Sequence, residues 1–186
     1  RKTTSAMKFA LASHGTRGDI EPCTAVGREL VARGHEVCLA VPPNLVGLVQ
    51  SGGLSAVAYG RDQQEGFWAE DFAREFWKIR EKIDLWREAQ DLLAQSWAEM
   101  SKTVVALADG ADLLLSGPGF PAIPANVAEY LQIPFATLQY FPMLPNGALH
   151  PELPAAVVRS VMKALDRLQW RVTKKAEDAQ RRELGL

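Results

Sequence analysis

Cysteine is scarce, with only Cys23 and Cys38 in 186 residues. Two thiols build neither a disulfide framework nor a four-ligand zinc site, so the default setting is a reducing, cytoplasmic one. Histidine is nearly as scarce. His14, His35 and His150 lie far apart with no Cys or acidic residues at ligand spacing, so no metal motif is present and no bound metal is expected. A net charge of −1 lacks the basic excess of a nucleic-acid-binding domain. No apolar run approaches the roughly 20 residues of a membrane span, which leaves peripheral membrane contact open. The polar start at residues 1–6 lacks the apolar core of a secretory signal and reads as a flexible, ragged beginning. Neither G-x-G-x-x-G nor a Walker Gly-Lys-Ser/Thr loop occurs, which excludes the two commonest phosphate-binding fingerprints.

What is present fits one globular domain, with 47% apolar and 23% charged residues. Phe9 to Ser13 is a short apolar run bounded by a Gly-rich loop, read as a buried strand. The loop runs from His14 to Glu21. Pro22 takes a first helical position, Val26, Leu30 and Val31 continue at helical spacing, and Gly34 closes the helix. His35 to Val41, Leu54 to Ala58, Leu113 to Ser116 and Phe135 to Gln139 read as further strands. Helices are expected at Leu45 to Gln50 and Ile123 to Leu131. From Phe67 to Asp109 there is no glycine or proline. There Phe72, Phe76, Ile79, Ile83 and Trp86, then Leu93, Trp97, Met100, Val104 and Leu107, alternate in steps of four and three, with Gln90 as the one polar interruption. A single helix of that length would span roughly 60 Å, so two helices or one bent helix are expected on the sheet. Ala155 to Leu184 reads as a charged amphipathic helix or a pair of helices. The sum is α/β: a Rossmann-like, doubly wound parallel sheet in three α/β/α layers.

Ligands of such sheets bind beyond the carboxyl ends of the strands. Three loops reach that end: His14 to Glu21, Gly117 to Pro121, and Tyr140 to Pro154. In the first, Gly15 and Gly18 allow a tight turn that presents amides and the Asp19 carboxylate at a helix start. An acid in the mouth repels a diphosphate and suits a neutral substrate that must lose a proton. The residues alone leave Asp19 between two roles, helix N-cap and general base. Ser116-Gly117-Pro118-Gly119 lacks the leading glycine of a nucleophile elbow, since Leu114 stands there. Ser116, Gly117 and Phe120 are therefore read as pocket wall. Tyr140, Phe141 and Met143 form an apolar run inside a long loop, the pattern of a ligand contact. His35 reads as structural and His150 as solvated, while His14 is open between substrate contact and packing. The aromatic stripe reads as core, or as a coiled-coil seam. Arg17-Gly18-Asp19 spells the cell-adhesion tripeptide by chance.

The run from Phe9 through Gly15-Thr16-Arg17-Gly18-Asp19-Ile20-Glu21-Pro22 resembles the opening of the glycosyltransferases of families 1 and 28 that decorate glycopeptide antibiotics, other natural products and sterols. Gly34-His35-Glu36-Val37-Cys38-Leu39-Ala40-Val41-Pro42 matches their second strand, and Arg182-Glu183-Leu184-Gly185-Leu186 the close of a late helix in their N-terminal domain. The resemblance spans nearly the whole chain, specific at both ends and vague in the middle. It implies the N-terminal, acceptor-binding half of a two-domain GT-B fold. It also implies inverting, metal-free transfer of a hexose from a UDP- or dTDP-sugar to a hydroxyl of an apolar acceptor such as a lipid, sterol or polyketide.

Asp19 aligns with the catalytic-site histidine of plant and peptidoglycan relatives, and its implied role is general base. Plant relatives brace that histidine with an aspartate after a later strand; here Leu115-Ser116-Gly117-Pro118 offers no acid. His14, Gly15, Thr16, Arg17 and Gly18 would line the acceptor site with Trp68, because the helical middle is a variable acceptor wall in the family. The family's donor-binding second domain, with its His- and Gly-rich motif, has no counterpart here. Residues 1–186 are therefore expected to be one acceptor-binding domain, inactive without its C-terminal donor partner. The rival from another class is a non-catalytic Rossmann-like module for a small ligand or a protein partner. Oligomeric state is not encoded in these patterns.

Overall fold

The computed structural model of the protein describes residues 5–60, 83–142, 144–148 and 151–186, with residues 83–90 described as backbone alone. Five strands follow in chain order: β1 (Lys8–Ala12), β2 (Glu36–Val41), β3 (Ser55–Ala58), β4 (Leu113–Ser116) and β5 (Phe135–Thr137). They form one sheet in the order β3-β2-β1-β4-β5, every neighbouring pair parallel. Parallel neighbours require long crossovers. Helices α1 (Arg17–Ala32), α2 (Val46–Ser51), α3 (Ile83–Ala108) and α4 (Ala122–Leu131) lie in those connections, and α5 (Ala155–Leu184) follows β5.

The two-residue period of the strands sorts their side chains into two cores. Phe9, Leu11, Val37, Leu39, Val41 and Leu115 face one side, where Ile20 and Cys23 of α1 and Val49 of α2 cover them. Ala10, Ala12, Ala40 and Leu114 face the other, beneath Trp97, Met100 and Val104 of α3, Ile123 and Val127 of α4, and Ala176 of α5. The small alanines on this face give the bulky side chains of α3 room to approach the sheet. Sheet faces covered on both sides give the three α/β/α layers expected from the sequence.

The helix after β1 begins five residues earlier than expected. It starts at Arg17 with Thr16 as its N-cap, so Pro22 is an interior residue rather than the first one. The amide missing at Pro22 would have bonded the Gly18 carbonyl, so the lost bond falls within the first two turns. Its other end matches expectation, with Gly34 left-handed at φ 88°. β5 stops at Thr137, and only the Leu138 amide continues the ladder, to the Ser116 carbonyl at 2.8 Å. α5 is one helix, not a pair.

Within α3, Trp97, Met100, Val104 and Leu107 are buried in the sheet core, which settles that part of the stripe as core rather than coiled-coil seam. Phe67, Trp68, Phe72, Phe76, Trp77 and Ile79 lie outside the described residues, as do the side chains of Ile83, Trp86 and Gln90. Among the described residues no helix is long and apolar enough to cross a membrane.

One side chain ties the three helices of the second face together. Gln180 of α5 is 2% exposed. Its Oε1 accepts from the Trp97 indole at 2.8 Å and from the Asn126 amide at 3.0 Å. Its Nε2 donates to Ser101 Oγ and to the Ile123 carbonyl, both at 3.1 Å. All of its ordinary hydrogen-bonding capacity is used.

Candidate functional site at the sheet switch point

From β1 the chain winds outward through β2 to β3, and from β4 it winds the other way to β5. The switch point between β1 and β4 is where such sheets hold ligands. The segments after β1, β4 and β5 meet there, as the sequence implied. The segment after β3 meets them too, at Tyr59 and Gly60, which sequence reasoning missed.

Asp19 is the half-buried acid of this mouth. It occupies the third position of α1 rather than the N-cap, which corrects the capping alternative. Its Oδ2 accepts from the Thr16 amide at 2.7 Å and the Thr16 hydroxyl at 3.1 Å, the reciprocal arm of a capping box. Its Oδ1 accepts from the Tyr140 hydroxyl at 3.2 Å, and the same hydroxyl lies 3.0 Å from the Asp19 carbonyl. Tyr140 was expected to touch substrate; what the structure shows is that it fastens the loop after β5 to the acid. Burial, followed by the charge of Asp19, holds the Tyr140 phenol well above its ordinary range, so it remains a proton donor. Thr16 thus fills Oδ2, and Oδ1 keeps one further lone pair for a substrate hydroxyl.

The turn that delivers Asp19 depends on Gly15. Its φ is 140°, and a Cβ there would stand 2.3 Å from Asp19 Oδ2. Only a residue without a side chain fits under the carboxylate. Gly119 is equally constrained, because a Cβ would meet the His14 carbonyl at 2.3 Å. The loops after β1 and β4 thus touch backbone to backbone.

Behind the acid stands an aromatic wall. The His14 ring meets Phe120 edge-on at 5.4 Å and Tyr59 at 6.0 Å, and Phe120 in turn meets Trp97 at 5.9 Å. Burial lowers the pKa of His14 below its ordinary 6.5, and Asp19 opposes that shift. Phe120 holds φ at 51°, a left-handed conformation that a bulky residue adopts only when its surroundings impose it. Tyr59 is fully buried, and its hydroxyl has no hydrogen-bond partner among the described residues.

The remaining expected site residues divide by position. Thr16, Arg17 and Gly18 are exposed on the rim, with Arg17 paired to Glu21 at 2.7 Å. Ser116 is buried and its hydroxyl donates to the Gly117 carbonyl at 2.7 Å, while Gly117 packs on Ser13. Phe141 is exposed beside Tyr140, the two rings 5.2 Å apart. Trp68 and Met143 lie outside the described residues, as does His150. His35 is structural as expected, taking the Met7 amide on Nδ1 at 3.2 Å. Cys23 and Cys38 are free, and burial raises both thiols, so neither is poised as a nucleophile. Among the described residues no three His, Cys, Asp or Glu side chains gather as metal ligands. A cavity of about 480 Å³ opens at the other end of the sheet, near Lys8, His35 and Ser55, away from every residue of the mouth.

Comparison with known proteins agrees with this fold. The model of the glycosyltransferase family 28 N-terminal domain matches residues 9–149, most of the chain. An uncharacterized glycosyltransferase of Mycobacterium tuberculosis is 56% identical over 183 residues, covering 97% of this chain and 44% of the relative. The O-mycaminosyltylonolide 6-deoxyallosyltransferase of Streptomyces fradiae is 30% identical over 112 residues, covering 60% of this chain and 26% of the relative. The crystal structure of a calicheamicin glycosyltransferase superposes with a TM-score of 0.56 at 15% identity, over 93% of this chain and 43% of that one, a likeness of fold. The chain thus spans less than half the length of these relatives. Sheet order, the Gly15 to Pro22 turn and the matched model agree: the chain belongs to glycosyltransferase family 28, as the N-terminal, Rossmann-like half of a GT-B fold.

Proposed function

We propose that residues 1–186 form the acceptor-binding domain of an inverting, nucleotide-sugar-dependent glycosyltransferase, with Asp19 as its general base. The observation that carries the reading is the Asp19 carboxylate, held from both sides at the mouth by Thr16 and Tyr140. A base must sit within hydrogen-bond reach of the proton it removes and be fixed there. The acceptor hydroxyl would attack the anomeric carbon and give its proton to Asp19. The bond from that carbon to the nucleoside diphosphate would break, and the diphosphate would leave with the electron pair. His14, Phe120 and Phe141 supply apolar and aromatic surface for the acceptor, and Thr16, Arg17 and Gly18 form its polar rim.

One relative carries O-mycaminosyltylonolide in its name, which supports an apolar, hydroxylated acceptor of lipid, sterol or polyketide type. The donor, a UDP- or dTDP-hexose, would bind chiefly on a C-terminal domain beyond this chain. No metal is required by this scheme, and the two free thiols suit a reducing, cytoplasmic setting.

The test is a screen of the full-length protein with UDP- and dTDP-hexoses against sterol, lipid and polyketide acceptors, read by mass. A product heavier by one hexosyl unit is expected, formed in the presence of EDTA, with none from residues 1–186 alone. Acceptor binding without transfer from any donor would favour the non-catalytic module instead.

Tyr140 enters this scheme as a positioning residue. Tyr140→Phe keeps the ring and removes the hydroxyl that holds Oδ1. In the full-length enzyme it is expected to lower kcat about tenfold with a smaller change in the acceptor KM. In an Asp19→Asn background the same change is expected to cost little more, because the hydroxyl acts through the acid. Independent, additive losses would sink that role.

A further inference from the structure

Tyr59 follows β3 and belongs to the buried cluster that also holds Ala12, Ala40, Trp97, Met100 and Val104. Among the described residues its hydroxyl is the one buried side-chain nitrogen or oxygen left without a hydrogen-bond partner. The other buried polar groups of this face are committed, since the Trp97 indole, Ser101 and Asn126 all bond Gln180. Phenylalanine would give the cluster the same ring without stranding a hydroxyl away from water. Packing therefore accounts for the ring of Tyr59 and leaves its oxygen unexplained. Burial holds the phenol well above its ordinary range, so the group is a neutral hydroxyl with a proton to donate.

The surroundings of this hydroxyl lead back to the acid of the mouth. His14 is the link: its ring meets Tyr59 at 6.0 Å and Phe120 at 5.4 Å, and it feels the charge of Asp19. Gly60 leaves room beside it, since a Cβ there would stand 2.9 Å from Met100 Sδ and 3.1 Å from the His14 ring. Phe120 holds its left-handed backbone on the far side of His14, a conformation that movement of the loop after β4 would relieve. We propose that the Tyr59 hydroxyl is a specificity-determining contact, donating a hydrogen bond to a second oxygen of the acceptor, remote from the hydroxyl at Asp19. The substrate class is then narrower than an apolar alcohol: an apolar body with a hydroxyl at one end and a carbonyl or hydroxyl at the other. Ligand sites are mostly apolar, and the few polar groups in them decide which ligands are accepted. Because Tyr59 is closed off from solvent, the far end of the acceptor reaches it as the Phe120 loop moves. The inference rests on the acceptor-binding reading above.

The test measures binding of two steroids to the full-length protein without a donor sugar, followed by tryptophan fluorescence. The probes, 3β-hydroxyandrost-5-en-17-one and androst-5-en-3β-ol, share one hydroxyl and differ by a single remote oxygen. The wild type is expected to bind the ketone about tenfold more tightly, the worth of one buried hydrogen bond. Tyr59→Phe should lose that preference and bind the two alike, because the hydroxyl and the ketone act as a pair. Its melting temperature should equal or exceed that of the wild type, since the substitution removes a stranded hydroxyl. Equal wild-type affinities, no binding of either steroid, or a ketone preference that survives Tyr59→Phe would overturn the proposal. A lower melting temperature in the variant would overturn it as well, because the hydroxyl would then serve the fold. Failure of sugar transfer would leave the ketone preference standing, and loss of the preference would leave transfer standing, so the two readings fail separately.

Discussion

Asp19→Asn in the full-length enzyme is expected to lower kcat/KM by about 10²- to 10⁴-fold, the usual contribution of a positioned general base. Asparagine preserves size and one carbonyl oxygen, so the Thr16 amide keeps an acceptor at the start of α1. It cannot take the proton from an attacking hydroxyl. The accompanying loss of stability should be small, about 1 kcal/mol or less, because the change removes one negative charge from the first turn of a helix and weakens part of a capping box. The two readouts separate the roles that the sequence left open. A capping residue alone would move the melting temperature and leave turnover near wild type; that result, in a stably folded variant, would remove Asp19 from the chemistry. Loss of turnover at nearly constant stability is the expected outcome.

The sheet was legible because each strand is a short apolar run with glycine or proline near one end, and because strands and helices alternate at crossover spacing. The start of α1 was misjudged for a local reason. Pro22 drew the first helical position to itself, whereas the true cap, Thr16 with Asp19 three residues on, is a capping box with aspartate where glutamate or glutamine gives the stronger signal. Asp19 and the glycines around it were visible as a motif, and the geometry explains the motif: Gly15 lies against the carboxylate itself.

What joins distant parts of the chain left no local trace. Tyr140 reaches Asp19 across 121 positions, and nothing in Tyr140-Phe141-Pro142 announces a partner at the first helix. Tyr59 follows a strand too short to mark its loop as part of the mouth, yet its ring abuts His14. Where an acid was sought after β4, the group that contacts Asp19 is a phenol after β5.

Gln180 illustrates the same blindness and carries the largest expected effect on stability. In Ala179-Gln180-Arg181-Arg182 it reads as one more polar residue on a solvated helix. In the fold it is buried and holds α3, α4 and α5 together through four hydrogen bonds. Gln180→Leu would keep much of the volume while stranding the Trp97 indole, the Asn126 amide and the Ser101 hydroxyl away from water, whereas the Ile123 carbonyl keeps its place in the ladder of α4. Leaving a buried polar group unpaired costs roughly 1–3 kcal/mol each, reduced where a neighbour relaxes onto it. Asn126 retains one such neighbour, since its Oδ1 accepts from Arg181 at 2.7 Å. The expected destabilisation is about 3–5 kcal/mol, measured as a lower denaturation midpoint with an unchanged slope. Gln180→Glu should fall between the wild type and the leucine variant, since it keeps acceptors for Trp97 and Asn126 but loses the two donors. A leucine variant as stable as the wild type would mean that the network is replaceable by apolar packing, as some buried polar groups are. The helices of this face would then be held by Trp97, Val104, Ile123 and Ala176 alone.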